Sequence, residues 1–65
     1  MNPVVVTYDP EADAAYIRFG AAKIMESEEV SPGVVLDYDA EGYIVGMEFL
    51  RANEQLPPEY RNKAA

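Results

Sequence analysis

Val34-Val35-Leu36-Asp37-Tyr38, Asp39-Ala40-Glu41-Gly42 and Tyr43-Ile44-Val45-Gly46-Met47-Glu48-Phe49-Leu50 read as strand, turn and strand. The outer segments are rich in β-branched and aromatic residues, which fit a pleated, half-buried surface. The middle segment is polar and ends in a glycine able to take the left-handed backbone that closes a short hairpin loop. The second strand is apolar on both sides. Tyr43, Val45, Met47 and Phe49 alternate onto one face, with Ile44 and Leu50 on the other. Such a strand belongs inside a sheet with both faces covered.

Upstream, Val4-Val5-Val6-Thr7-Tyr8 reads as another strand, and Asp9-Pro10-Glu11-Ala12-Asp13 as the turn after it. Proline presets the second position of a turn, and the aspartate before it accepts a local backbone hydrogen bond. Ala14 to Phe19 then reads as a strand with Ala15, Ile17 and Phe19 on one face and Ala14, Tyr16 and Arg18 on the other. A short helix from Glu11 to Arg18 is the competing reading, because alanine is frequent there. After the break at Gly20-Ala21-Ala22, the run Lys23 to Val30 alternates but is strongly charged, as suits a sheet edge that must not pair with another molecule. Ser31-Pro32-Gly33 is the next turn.

Beyond Leu50, Arg51 to Leu56 can form one or two helical turns, which Pro57 stops. Pro58 to Lys63 can form a second short helix. The expected organisation is one sheet domain over residues 1–56 and a tail, short helix or disordered, over 57–65. The turn regions also echo one another: Val4 to Glu11 matches Val34 to Glu41 at a constant offset. The echo reads either as two equivalent Tyr-Asp-x-Glu corners or as the restricted chemistry of turns.

The chain has 65 residues, with 12 acidic side chains against 5 basic ones and neither histidine nor cysteine. This size allows one small domain of marginal stability. A net charge of -7 argues against a nucleic-acid partner, which requires clustered lysine and arginine. No apolar run approaches the ~20 residues of a membrane span. No basic region precedes an apolar stretch near Met1, so no signal peptide is expected and the cytoplasm is the default location. Absence of cysteine fits a reducing compartment.

Few chemistries survive this composition. Without histidine, Thr7, Ser27 and Ser31 have no base to activate them as nucleophiles. The glycines stand alone, so there is no phosphate loop. Asp37 to Gly42 with Glu48 nearly fits a calcium loop, but that loop needs flanking helices. In a hairpin, Glu48 would lie roughly 16 Å up the strand from the turn. No metal or other cofactor is therefore expected. The ligand-binding candidates are the turn carboxylates Asp9, Glu11, Asp13, Asp37, Asp39 and Glu41, which could supply acid–base pairs if a dimer groove enclosed them. Catalytic residues are not expected. Tyr16, Val34, Leu36, Met47 and Phe49 are the interface candidates, as apolar surface beyond what one small domain can hide.

Four stretches together resemble the domain of unknown function 2283 family. They are Tyr8 to Phe19, Glu26 to Val30, Pro32 to Asp39 and Gly42 to Leu50, in that order along roughly residues 4–56. The resemblance implies a small stand-alone prokaryotic protein with an antiparallel sheet and a small helical element, and it offers no catalytic residues to carry over.

The expected fold is α+β: about five antiparallel strands joined by hairpins, with a short C-terminal helical segment over one sheet face. The expected state is a homodimer or protein hetero-complex that hides the other face. The expected function is a non-catalytic protein-interaction module whose acidic surface neutralises or escorts a basic partner; that it is antitoxin-like is what analogy with similar small families implies. The alternative is a metal- or small-ligand-binding protein, or a small enzyme, using the turn carboxylates at a dimer groove.

Overall fold

Asp39 opens the predicted hairpin loop, where its carboxylate Oδ1 accepts the N–H groups of Glu41 and Tyr43, both at 2.9 Å. Gly42 closes the loop with φ 88°, the left-handed backbone expected of it. In the computed structural model, which describes residues 4–59, this loop joins two of five strands. They are β1 (Val5–Asp9), β2 (Ala14–Arg18), β3 (Glu26–Ser31), β4 (Val34–Tyr38) and β5 (Ile44–Leu50), followed by the helix α1 (Ala52–Gln55). The strands form one antiparallel sheet in the order β1-β2-β5-β4-β3. The apolar strand β5 takes the centre, and the charged strand β3 takes an edge where all six residues are exposed. Residues 14–18 are strand rather than helix.

The register sorts the side chains into two faces. Val6 lies opposite Ile17, which lies opposite Met47, which lies opposite Leu36. Tyr8, Ala15, Phe49 and Val34 form the parallel row. These rows make an apolar face. Tyr16, Arg18, Glu48 and Asp37 lie on the reverse, polar face, because successive strand residues point to opposite sides. Tyr16 thus lies on the opposite face from Val34, Leu36, Met47 and Phe49, so the five interface candidates do not form one surface. A bulge also interrupts the expected alternation of β5. Asp37 pairs with Gly46 and Tyr38 with Ile44, so Val45 is the extra residue, and it is buried. The bulge brings Ile44 to the apolar side beside Tyr38.

The helix is too short to cover a face. It closes one end of the sheet, held between the β1–β2 and β3–β4 turns. Ala52 N–H donates to the Asp13 carbonyl at 2.9 Å, and the Gln55 side-chain amide donates to the carbonyls of Gly33 and Leu50. Ala52 is fully buried, and Ala15, on the same end of the apolar face, is 1% exposed. Exposure on that face rises away from α1, reaching 40% at Phe19 and 47% at Ile44. Among the described residues no large side chain is fully buried. The expected second helical segment, Pro58 to Lys63, runs beyond the described residues, as does the order of the rest of the tail.

Candidate functional site

The six candidate carboxylates divide between two ends of the sheet. Asp9, Glu11 and Asp13 belong to the β1–β2 turn, at the end where Ala14 pairs with Leu50. Asp37, Asp39 and Glu41 lie at the opposite end, where Tyr38 pairs with Ile44. Strands of this length hold the two groups about 15 Å apart within one chain, so they do not meet in a single site. Among the described residues, no three carboxylates are placed to hold a metal ion.

The four aspartates each have a hydrogen-bonding role. Asp9 Oδ1 accepts the N–H groups of Glu11 and Ala12 at 3.0 and 3.3 Å, much as Asp39 does in its own loop. The sequence echo is therefore a repeated turn chemistry at two distant corners. Asp13 Oδ1 accepts the Tyr8 hydroxyl at 2.9 Å and Asn53 N–H at 3.1 Å. Its carbonyl accepts Ala52 N–H, so the first donors of α1 are satisfied from 40 residues upstream. Local sequence carries no sign of this cap, since Arg51 precedes the helix with φ 52° and no side-chain cap bond. Glu11 and Glu41 are exposed.

Asp37 is the buried one, at 8% exposure. Its two oxygens accept the Tyr16 hydroxyl at 2.8 Å and the Ser27 hydroxyl at 2.6 Å. These bonds tie β2 to β4 across the central strand, and β4 to the edge strand β3. A buried carboxylate needs such partners, because an unpaired one carries a heavy desolvation penalty. Tyr16 reaches Asp37 by lying across Gly46, whose missing side chain leaves the space its ring occupies. Arg18 approaches the Tyr16 hydroxyl at 3.5 Å, and its guanidinium also holds the β2–β3 crossing loop through the carbonyls of Gly20 and Ala22. Ser27, Arg18 and Gly46 were not singled out from the sequence as a cluster. The one signal was a lone glycine inside a strongly β sequence, which marks a bulge or a close approach.

Burial pushes the Tyr16 hydroxyl pKa above its ordinary 10.0, Arg18's hydrogen bond pulls it back, and the Asp37 hydrogen bond and charge add to the rise. The folded chain therefore holds this proton more tightly than the unfolded chain. Tyr16's contribution to stability is complete below pH 10.0 and is lost as pH rises through the raised value. Tyr38 shifts in the same direction, through desolvation and then the Glu28 charge and hydrogen bond. Urea midpoints measured from neutral to alkaline pH should fall above pH 10.0, and Tyr16→Phe should remove part of that fall. An identical alkaline profile in the variant would disprove the assignment.

A second feature lies at the far end from α1. Glu26, Glu28, Tyr38, Asp39 and Glu41 border an open cleft between β3 and the β4–β5 loop. Tyr38 donates its hydroxyl to Glu28 at 3.3 Å. The cleft adjoins the exposed part of the apolar face, since Tyr38 lies beside Ile44 in the sheet. The cleft is open, with the geometry of a surface rather than of an enclosed cavity.

The comparisons identify a family and nothing finer. The family described as Protein of unknown function (DUF2283) matches residues 5–53, which takes in the whole sheet and the first two residues of α1. No curated protein and no solved structure matches the chain.

Proposed function

From the premise that the chain belongs to the DUF2283 family, we propose that it is a non-catalytic protein-interaction module. Its apolar sheet face receives a partner whose basic rim meets the carboxylates of β3. The observation that carries this reading is the adjacency of open apolar surface to acid. Phe19 and Ile44 are substantially exposed, and Ile44 neighbours Tyr38 on the strand paired with Glu26 and Glu28. Arg18 is turned to the reverse face and engaged with the crossing loop. Small domains normally bury a sheet's apolar face against a second layer. Here the described chain supplies only the short helix at one end, so a partner is the natural second layer. In its antitoxin-like form, the module covers and so neutralises a small basic protein. Acidic residues beside the apolar patch would speed that encounter and confer salt dependence.

The test is capture from the native lysate with tagged wild-type protein and two surface variants, followed by mass spectrometry and light scattering. The expected result is a one-to-one complex with a basic protein that weakens as salt rises. Ile44→Asp should abolish it, and Glu26→Lys with Glu28→Lys should weaken it at least tenfold, as repulsion replaces attraction across the contact. Capture at equal yield by all three proteins would overturn the reading.

A further inference from the structure

The two edges of the sheet are protected unequally. On β3, Glu26, Glu28 and Glu29 line the edge, and a bulge between Glu29 and Ser31 disrupts the ladder. Charges and bulges are the usual means of preventing an edge strand from pairing with another chain. The opposite edge, β1, has no bulge and a single charge, at its last residue. It reads Val5-Val6-Thr7-Tyr8 before its first charge at Asp9, it pairs in even register with β2, and Val5 is 48% exposed. Among the described residues no strand covers its outer side.

We propose that β1 pairs antiparallel with β1 of a second copy of this chain, about a two-fold axis through Thr7, so that two five-stranded sheets become one of ten strands. The charge distribution favours a second copy at this edge. Two molecules of net charge -7 repel, so their contact is least opposed where acids are fewest, and on β1 the one acid is Asp9 at the end of the strand. The β1 edge lies four strand spacings, about 19 Å, from the glutamates of β3. Pairing about Thr7 sets Val6 opposite the partner copy's Tyr8 and Thr7 opposite its own equivalent, both favourable cross-strand pairs. The two Asp9 carboxylates fall at opposite ends of the seam, so no like charges meet. Because the axis is perpendicular to the sheet, both apolar faces point the same way and join across the seam. The inference is independent of the proposed docking role, since it concerns the purified chain alone.

Sedimentation equilibrium of the purified protein tests it. The wild-type mass should rise from 7.2 kDa to twice that value as concentration increases. Thr7 is exposed, so charged residues there should leave the circular dichroism unchanged. Thr7→Lys and Thr7→Glu should each weaken the dimer at least tenfold, because like charges are set directly opposite. Mixing the two variants should restore it as a heterodimer. Thr7→Val, which keeps the edge uncharged, should remain dimeric. A wild-type chain that stays monomeric at every concentration would overturn the proposal. So would a dimer that survives Thr7→Lys but is lost in Ile44→Asp, because that pattern belongs to face-to-face packing.

Discussion

Gly46→Ala is expected to destabilise the fold by about 2–3 kcal/mol, roughly what overpacking plus one broken buried hydrogen bond costs. A β-carbon at Gly46 would stand 2.8 Å from Tyr16 Cζ and 3.2 Å from Asp37 Oδ2, and closer still to the Tyr16 hydroxyl. The ring has to leave. When it leaves, Asp37 keeps Ser27 and loses the 2.8 Å bond from Tyr16. In a 65-residue chain with no large fully buried side chain among its described residues, that loss corresponds to a fall in Tm of about 10–20 °C. Thermal unfolding of Gly46→Ala, Tyr16→Ala and the double variant checks the mechanism. Once Tyr16 is gone the extra methyl has nothing to strike, so the double variant should be scarcely less stable than Tyr16→Ala alone. Strict additivity would show that the glycine serves another purpose.

That contact also marks the boundary of what was legible in the sequence. The strands were legible because β-branched and aromatic runs, broken by proline, glycine and aspartate, carry local signals. The edge position of β3 was legible from its glutamates, and the loop role of Gly42 from its place between two apolar runs. What local sequence does not contain is register. Tyr16 could be assigned to the face opposite Ile17, but only the pairing of β2 with β5 and of β5 with β4 puts it over Gly46 and against Asp37, 21 residues away. It could not be separated from Val34 and Leu36 without that register. The bulge at Val45 has the same origin: the extra residue is defined by its partner strand, and it moves Ile44 from the face that alternation assigned to it.

The carboxylates teach the same lesson from the other side. An acid-rich turn read from sequence suits a ligand as well as it suits a loop. In the structure Asp9 and Asp39 fold their own loops, Asp37 joins three strands, and Asp13 caps a helix that begins 39 residues later. The apolar face behaves differently. Its exposed end has no such internal partner among the described residues, which leaves Phe19 and Ile44 open to a partner as the turn aspartates are not.

Asp13 provides the sharpest test of that division, because one side chain meets three structural demands. Its backbone has φ 52°, a region aspartate, asparagine and glycine tolerate better than other residues. Its carboxylate accepts Tyr8 and Asn53, and its position delivers a carbonyl to Ala52. Asp13→Ala combines left-handed strain with loss of both carboxylate bonds and should cost about 2–3 kcal/mol. Asp13→Gly relieves the backbone and loses the same bonds, so about 1–1.5 kcal/mol is expected. Asp13→Asn keeps an acceptor oxygen and the tolerated backbone, and should cost less than about 1 kcal/mol. Chemical denaturation of the three variants should therefore rank Asn above Gly above Ala. Hydrogen exchange should localise the loss to Ala52 and Asn53, the amides that Asp13 receives. If alanine were as stable as aspartate, Asp13 would hold neither turn nor helix, and its carboxylate would be free for the ligand role that its position in an acidic turn first suggested.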